Sequence, residues 1–254
     1  MDKSKFIILT GAAGSIGQAI AKKLSNDGWH IIGIDKEEIS DKNLKEQYFY
    51  LKINLDLREI INEKKRLDNL ILKINQSTDN KLYGIINNAA IQKTESFENL
   101  SINDWKETIE VNLLTPIILI NSFLDQLRNS KGTVVNIGSI HSQLSKSLFS
   151  SYSTTKAGLA GLTRALSIEL GSHIRVNSVE PAAIETNMLR EGFKNQDDSF
   201  QKLYELHPTK NIGSPEDVAN AVKFLINPKN TFLNGCLLSL SGGIQNCLLD
   251  PYIK

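Results

Sequence analysis

Seven short runs of mostly apolar residues recur along the chain, each bounded by polar or glycine residues. Runs of this length predict buried strands, and apolar residues at helical spacing lie between them. The predicted strands are Phe6–Leu9, Trp29–Ile34, Gln47–Ile53, Leu82–Ile86, Thr133–Ile137, Ile174–Val179 and Leu237–Leu240. The predicted helices cover Gln18–Leu24, Leu57–Ile74, Ser101 to about Arg128 and Tyr152–Leu170, and another begins at Pro215.

This alternation of strands and helices predicts the fold class. Parallel strands joined through helices form an α/β doubly wound sheet that is covered on both faces. A chain of 254 residues has the size of one such domain, so we expect a single domain over residues 1–254 with a seven-stranded parallel sheet. Residues 187–210 are polar with little apolar pattern, which predicts a mobile flap over a site.

Composition and charge exclude several classes of function. The hydrophobic content of 41% is ordinary for a globular protein, and a net charge of +1 gives no electrostatic basis for binding nucleic acid or an anionic membrane. No apolar stretch approaches the ~18 residues that cross a membrane, and the N-terminal run is too short for a signal peptide. Cys236 and Cys247 lack metal-ligand spacing, so we expect a cytoplasmic protein without a metal site.

The segment after the first strand is rich in glycine. Gly11, Gly14 and Gly17 recur every three residues before the first helix, with Ser15 and Ile16 among them. Glycines let the backbone approach a pyrophosphate, and a helix N-terminus offers N–H groups and the positive end of its dipole. In this strand–turn–helix frame the glycines predict the dinucleotide cradle of a Rossmann fold; an ordinary strand–helix turn is the alternative.

Polar residues at the next two strand ends bear on the choice of cofactor. Asp35 ends the second strand, where a carboxylate accepts hydrogen bonds from the adenosine ribose hydroxyls and repels a ribose phosphate. Asp35 therefore favours NAD over NADP, although the neighbouring Lys36 offsets part of its charge. Asn54 follows the third strand, where it either contacts the adenine or caps the next helix.

A tyrosine and a lysine supply the candidate chemistry. Tyr152 and Lys156 are four residues apart, which places both side chains on one face of a helix. An ammonium beside a phenol favours the phenolate, so we expect Lys156 to lower the pKa of Tyr152 and make it a proton donor or acceptor near neutral pH. Ser139 follows the fifth strand, where its hydroxyl could hold a substrate oxygen.

Two asparagine positions add to this pattern. Asn87-Asn-Ala-Ala90 ends the fourth strand, where small residues let a flat cofactor lie against the chain and Asn87 can tie strand ends together. Asn112 lies at an apolar helix position, and a buried amide there needs hydrogen-bond partners.

Taken together and in this order, these segments resemble the short-chain dehydrogenase/reductase family over nearly the whole chain. The resemblance implies that Tyr152 is the general acid/base, that Lys156 lowers its pKa and holds the nicotinamide ribose, and that Ser139 orients the substrate carbonyl. It also implies that Asn112 keeps a water in the proton path. The implied cofactor contacts are Gly11, Gly14, Ser15, Ile16, Gly17, Asp35, Asn54, Asn88, Ala89, Tyr152, Lys156, Pro181, Ile184 and Thr186.

Some positions depart from the family pattern. The glycine spacing resembles the longer sugar-nucleotide epimerase branch, whereas the chain length and the Asn-Asn-Ala-Ala run fit the shorter dehydrogenases. Ala90 and Ala182 stand where family members usually have glycine, and Asn54 replaces a usual acid. The alternatives to a dehydrogenase are therefore an epimerase-like enzyme with tightly held NAD and a non-catalytic NAD-binding regulator.

Candidate substrate residues follow the strand ends. A mostly polar set predicts a small polar substrate, such as a sugar, polyol or hydroxy acid, whose carbonyl or secondary alcohol exchanges a hydride with the nicotinamide. Glu180 is unusual at a strand end, and a salt bridge to Arg175 or Arg190 is an alternative to substrate contact. The resemblance also implies a homotetramer or homodimer. The candidate residues are Ile91, Gln92, His141, Gln143, Glu180 and Met188.

Overall fold

A seven-stranded parallel sheet forms the centre of the molecule. The structure, a computed structural model, describes residues 5–38, 48–193 and 197–248. The strand order is β3-β2-β1-β4-β5-β6-β7, and every neighbouring pair is parallel. The strands are β1 (Phe6–Thr10), β2 (His30–Asp35), β3 (Leu51–Asn54), β4 (Gly84–Asn87), β5 (Thr133–Ile137), β6 (Arg175–Pro181) and β7 (Leu237–Leu240). The predicted fold class is confirmed.

Helices cover both faces of this sheet. The α-helices are α1 (Ser15–Asn26), α2 (Glu59–Asn62), α3 (Lys64–Thr78), α4 (Ile102–Ile109), α5 (Thr115–Ser122), α6 (Leu124–Ser130), α7 (Ser150–Glu169), α8 (Asn187–Gly192), α9 (Asp197–Leu206) and α10 (Pro215–Ile226). Short 3-10 helices span Ile140–Ser142 and Ile244–Asn246. From β1 the strands are added toward one edge of the sheet as far as β3, and from β4 onward they are added toward the other edge. This change of order lies between β1 and β4, and at such a point the carboxyl ends of the strands border a crevice.

Alternate residues of the strands face two separate hydrophobic layers. Ile7 and Leu9 pack with α1 and α10 on one face, where Ile20 and Val222 are fully buried. On the other face Ile8 belongs to the layer that α3, α5 and α6 complete. Burial on both faces explains why the strands are nearly continuous apolar runs in the sequence.

Two element boundaries differ from the sequence prediction. The third strand begins at Leu51 rather than Gln47, which lies outside the described residues; Tyr48 and Phe49 bury their rings instead of pairing as a strand. The helix predicted over Leu57–Ile74 is divided into α2 and α3, because Glu63 adopts an extended backbone between them. Apolar spacing alone does not register a break of one residue.

The long helix predicted from Ser101 to Arg128 is also interrupted. It begins with a capping box between Ser101 and Asp104, as predicted, and continues through α4. A π-helical turn follows at Glu110–Leu114, and the chain then bends by 62° at the break before α6. Turns of this type are often found at functional sites, and this one carries Asn112.

The polar segment 187–210 contains helices that the sequence reading did not detect. Helix α8 begins at Thr186, whose hydroxyl accepts a hydrogen bond from the Leu189 N–H at 3.2 Å. In α9 the ring of Phe200 lies 5.7 Å from that of Tyr204 and 5.6 Å from that of Phe193. The apolar contacts of this segment are thus made mainly between its own side chains.

Membrane-spanning segments were sought among the described helices, and no single one is both long and apolar enough to cross a bilayer. Ile102–Ser122 and Leu124–Ser130 meet the length and composition criteria only as a bent pair. Both stretches bury apolar side chains against the sheet, including Leu119 and Leu127.

Candidate active site

The glycine-rich turn lies between the carboxyl end of β1 and the start of α1. Gly11 has φ of +65°, and a Cβ there would lie 2.8 Å from the Ala89 Cα. A Cβ on Gly17 would overlap the Gly11 carbonyl oxygen and lie 2.9 Å from the Ala12 Cα. Both positions therefore require glycine because of the protein's own backbone.

Gly14 differs from the other two glycines of the turn. A Cβ at this position would meet only the Gly11 oxygen, at an ordinary 3.5 Å, and the residue is exposed. Gly14 is also the N-cap of α1, and this fully described helix has neither a side-chain cap nor an acid in its first turn. The first N–H groups of α1, beginning at Ser15, are thus open to an anion next to a small residue.

Asn88 and Ala89 hold the glycine turn in place from the neighbouring strand. The Asn88 amide donates hydrogen bonds to the carbonyl oxygens of Thr10 and Gly11, at 3.0 and 2.9 Å. The backbone N–H groups of Asn88 and Ala89 both donate to the Thr10 hydroxyl. Asn87 ties β4 to β5 as predicted, because its amide donates to the Asn136 side chain at 2.8 Å.

Asp35 lies beside the same turn. Its Oδ2 accepts a hydrogen bond from the Ala13 N–H at 2.9 Å, and its Oδ1 accepts one from the Glu37 N–H at 3.0 Å. Asn54 is exposed at the end of β3, and its amide donates to the Lys36 carbonyl oxygen at 2.8 Å. Both side chains therefore organise the edge of the predicted nucleotide site, and they lie next to each other in the register of β2 and β3.

Ser139, Tyr152 and Lys156 come together at the carboxyl end of β5. Ser139 caps the short 3-10 helix, and Tyr152 and Lys156 lie one turn apart in α7. The Lys156 ammonium is buried and donates to the Ile137 carbonyl oxygen at 2.7 Å, 5.5 Å from the centre of the Tyr152 ring. The four-residue spacing thus places the two side chains on one face of α7, as the sequence predicted.

The expected direction of the tyrosine pKa is wrong in this structure. The pKa of Tyr152 is raised to about 12, mainly by burial and also by the charge of Glu180, and the nearby Ser139 hydroxyl opposes this. Burial lowers the pKa of Lys156 to about 8, and Glu180 opposes this. Desolvation of the phenolate is the largest influence on Tyr152, and the ammonium is directed to the Ile137 carbonyl.

Asn112 is almost fully buried and has protein partners for both ends of its amide. Its oxygen accepts from the Ile91 N–H at 2.8 Å, and its nitrogen donates to the Ile91 carbonyl at 2.9 Å and to the Thr155 hydroxyl at 3.0 Å. These bonds join the segment after β4 to α7 next to Lys156. The amide partners that the sequence required are therefore present.

Glu180 has a different environment from the one anticipated. Its carboxylate accepts hydrogen bonds from the Ser139 N–H at 2.9 Å and the Ser178 hydroxyl at 2.5 Å, and only 2% of the residue is exposed. The salt bridge to Arg175 or Arg190, one of the two alternatives for Glu180, is not formed: Arg175 donates to backbone carbonyls at the end of α10 and in the segment before β7, and Arg190 pairs with Glu185. This contact was not visible in the sequence because it depends on β5 and β6 being neighbours.

The candidate substrate residues lie at the same edge but do not form one cluster. The His141 ring lies 6.1 Å from the Tyr152 ring, and burial lowers the pKa of His141. Gln143 is exposed, and its oxygen accepts a hydrogen bond from the Gln245 amide at 3.0 Å. Gln92 donates to Thr94, and Met188 is 46% exposed on α8.

Gln245 and Phe149 are two residues of this edge that the sequence reading missed. Gln245 follows β7 and is 102 positions from Gln143, and its oxygen accepts a hydrogen bond from the Ser239 hydroxyl. The Phe149 ring lies 4.8 Å from that of His141 and 5.8 Å from that of Tyr152. The glycine pair before Gln245 signalled a turn at a strand end and was the available clue.

The remaining predicted cofactor contacts follow β6. Pro181 ends the strand, and Thr186 caps α8. The side chains of Ile16 and Ile184 pack in the core, so these two residues present mainly backbone to the crevice. A backbone bridge between Ile184 and Gly213 fixes this segment to the start of α10.

Comparison with known sequences gives matches over nearly the whole chain. A family model described as enoyl-(acyl carrier protein) reductase matches residues 11–245. The 3-oxoacyl-[acyl-carrier-protein] reductase FabG of Aquifex aeolicus (strain VF5) is 33% identical over 257 residues, which cover 95% of this chain and 98% of that relative.

Solved structures resemble this one closely. The ligand-free aldohexose dehydrogenase (AldT) of Thermoplasma acidophilum is 25% identical with a TM-score of 0.87, and the match covers 99% of this chain and 98% of that chain. A 4-hydroxyisoleucine dehydrogenase complexed with NADH is 27% identical with a TM-score of 0.84, covering 96% of this chain and 100% of that chain.

Proposed function

Because this chain belongs to the short-chain dehydrogenase/reductase family, a family of oxidoreductases that use a nicotinamide cofactor, we propose that it transfers a hydride between that cofactor and a small polar carbonyl compound or alcohol. The observation that carries the proposal is the meeting of Ser139, Tyr152 and Lys156 at the carboxyl edge of the sheet. This edge is where open α/β sheets bind their ligands.

The residues around the glycine turn fit a dinucleotide. The open N–H groups at the start of α1 suit a pyrophosphate, and a Cβ at Gly11 or Gly17 would collide with the backbone that forms the turn. The bound cofactor supplies or accepts the hydride. Asp35 holds its carboxylate beside this turn, where a negative charge repels a ribose phosphate, so we propose NAD rather than NADP.

The protein contributes the proton and the position of the substrate. With a pKa of about 12, the Tyr152 phenol is protonated at neutral pH, which suits a donor of the proton to a carbonyl oxygen that becomes an alcohol. The Ser139 hydroxyl can hold the same oxygen, because it lies close enough to the phenol to lower the pKa of Tyr152. The Lys156 ammonium adds a positive charge next to the ring.

The polar residues at the carboxyl edge support a polar substrate. Gln143 and Gln245 form a hydrogen-bonded wall from the segments after β5 and β7. The His141 ring makes an edge-on contact with the Tyr152 ring, and the Lys146 ammonium lies 4.2 Å from the centre of the Phe149 ring. Such side chains can satisfy hydroxyl and carboxylate groups that an apolar pocket would leave unpaired.

A second candidate substrate class is a 3-oxoacyl thioester. It is favoured by the 33% identity to FabG of Aquifex aeolicus, which is named a 3-oxoacyl-[acyl-carrier-protein] reductase. A long acyl chain requires apolar lining, and the candidate substrate set offers two apolar residues, Ile91 and the exposed Met188. The two candidate functions therefore predict opposite preferences: the first predicts that polar substrates react best, and the second predicts that 3-oxoacyl thioesters do.

The test is a turnover panel with purified protein, followed at the absorbance of the reduced nicotinamide. Polar ketones, sugars, polyols and hydroxy acids are compared with an acetoacetyl thioester, using NAD(H) and NADP(H) in parallel. We expect kcat/KM to be highest for a polar substrate with NAD(H). A preference for the thioester supports the second candidate instead.

The same preparation tests the remaining alternatives. Nicotinamide absorbance that remains on the protein after gel filtration would indicate an epimerase-like enzyme, and cofactor binding without turnover of any panel member would indicate a regulator. We propose a homodimer or homotetramer, and light scattering of the same sample measures it.

A further inference from the structure

We propose that Glu180 is a positioning residue of the catalytic site: its buried carboxylate fixes the Ser139 backbone and supplies the counter-charge for the Lys156 ammonium. The inference rests on the proposed function for its catalytic meaning, whereas the link between the two charges rests on their shared burial and on the backbone that both side chains bind.

One short piece of backbone connects the two buried charges. The Ile137 carbonyl accepts the hydrogen bond of the Lys156 ammonium at 2.7 Å, and two residues later the Ser139 N–H donates to the Glu180 carboxylate at 2.9 Å. Both charged residues are buried, with 2% exposure each. In a region this poor in water, a nearby carboxylate favours the charged form of the ammonium, and its removal leaves the ammonium without a counter-charge.

The surroundings of Glu180 hold the carboxylate in one position. Oε1 accepts the Ser178 hydroxyl at 2.5 Å, and a Cβ on Gly138 would overlap the carboxylate, so the glycine leaves space for the charged group. The space beside Gly138 holds the Glu180 carboxylate against the Ser139 N–H, so the carboxylate bonds this N–H and not an arginine side chain. Because Ser139 caps the following turn through its hydroxyl, fixing its backbone also fixes that hydroxyl.

Among the titratable groups around Glu180, Tyr152 and Lys156 are the two whose pKa values its charge affects. Both come from α7, and the charge of Glu180 raises the pKa of each. Strand β7 contributes Ser239 opposite Glu180, and His141 follows Ser139 with its Nδ1 near the Leu144 carbonyl. The charged residues of α10, the other helix packed on β6, are exposed: Glu216, Asp217 and Lys223.

The substitution Glu180→Gln removes the charge and preserves the shape. The amide oxygen can accept from the Ser139 N–H, and the amide nitrogen can donate to the Ser178 hydroxyl, which then donates to the Asn136 carbonyl 3.0 Å away. A role limited to hydrogen bonding therefore predicts little change in E180Q, whereas the proposed role requires a change in the ionisation of Lys156.

The experiment is an NMR titration of Lys156 in protein labelled at the lysine Cε, with the signal assigned by Lys156→Arg. No turnover is needed, so the result is independent of whether a substrate is known. We expect a midpoint near pH 8 in the native protein. In E180Q it should be lower by about one pH unit, as expected when a nearby opposite charge is lost. An unchanged midpoint would overturn the proposal.

Two further variants keep the test decisive. Ser178→Ala removes a hydrogen bond to the carboxylate and keeps its charge, so the Lys156 midpoint should stay at the native value; a shift equal to that of E180Q would refute the electrostatic role. If E180Q does not fold, Gly138→Ala with Glu180→Ala fills the vacated space with a methyl group and removes the charge. The same downward shift is expected there.

A turnover profile then connects the pairing to catalysis. With the best substrate of the panel, the loss of kcat at high pH should begin about one pH unit lower in E180Q than in the native protein. A shifted titration with an unshifted profile would overturn the catalytic part of the proposal. Absence of turnover in the native protein contradicts the proposed function and leaves the titration result as it stands.

Discussion

The carboxyl edge of the sheet has two halves that are built by different means. The half at β1, β2 and β4 is shaped by backbone: glycines that exclude a Cβ, open helix N–H groups, and polar side chains such as Asn88 that hold the turn. The half at β5 and β6 is shaped by buried charge, with Lys156 and Glu180 both removed from water. We propose that the first half binds the cofactor by its shape and that the second sets the protonation of the Tyr152 phenol.

This contrast shows that the two halves tolerate different substitutions. In the nucleotide half a single methyl group can be disruptive, because the space is already filled by backbone. In the catalytic half an isosteric change can be tolerated by the fold and still alter the chemistry, because charge rather than volume is what matters there. Each of the following predictions tests one side of the comparison.

The largest expected effect is that of Tyr152→Phe in the catalytic half. Loss of the hydroxyl removes the proton donor, so kcat should fall by about 10²–10⁴-fold. The ring contacts with His141 and Phe149 are kept, and the melting temperature should change little. Steady-state kinetics and thermal denaturation measure the two quantities, and a kcat within a few-fold of the native value contradicts the assignment.

The nucleotide half is tested by Gly17→Ala. The added methyl group overlaps the Gly11 carbonyl oxygen, so we expect the free energy of unfolding to fall by about 3 kcal/mol and cofactor binding to be lost. The matched control is Gly14→Ala, whose Cβ has only an ordinary contact at 3.5 Å, so we expect only the cost of an alanine N-cap, about 1 kcal/mol or less. Denaturant unfolding and cofactor titration distinguish the two variants.

A third prediction concerns the buried ammonium and pH. The folded pKa of Lys156, about 8, lies below its ordinary value of 10.5, so above pH 8 the folded protein releases a proton that the unfolded chain retains. The unfolding free energy of the native protein relative to Lys156→Met should therefore rise between pH 8 and 10.5, by at most about 1.4 kcal/mol per pH unit. If the difference in unfolding free energy between the two proteins does not change between pH 8 and 10.5, the lowered pKa of the buried Lys156 ammonium is contradicted.

The smallest effect is expected for Asp35→Asn. The amide oxygen can still accept from the Ala13 N–H, so the turn is kept while the negative charge is lost. We expect the ratio of kcat/KM with NADPH to that with NADH to rise about tenfold, equivalent to ~1.4 kcal/mol. The control is Glu37→Gln at an exposed neighbouring position, which should leave the ratio nearly unchanged.

The sequence predicted most of the nucleotide half because its determinants are local. Gly11 and Gly17 act within one turn, and Asp35 ends the adjacent strand, so spacing along the chain indicates proximity in the fold. The Tyr152–Lys156 pair was readable for the same reason, since one helical turn brings the two side chains together.

The catalytic half contains contacts that spacing cannot reveal. Glu180 meets Ser139 because β5 and β6 are neighbours, and Gln143 meets Gln245 across the chain. The pKa of Tyr152 was predicted in the wrong direction because the largest influence on it is burial, which depends on the assembled fold. The interruption at Glu110–Leu114 was missed because a π-helical turn leaves the apolar pattern of the helix almost unchanged.

The most direct test of the central claim is the transfer of deuterium from a reduced nicotinamide labelled at C4. Native protein is mixed with the best carbonyl substrate of the panel, and the product is analysed by mass spectrometry in parallel with the Y152F variant. With both C4 hydrogens replaced by deuterium, we predict one deuterium on the carbinol carbon with the native protein and, over the same time, transfer slower by about 10²-fold or more with Y152F. Product without deuterium, or equal transfer by both proteins, would contradict the account.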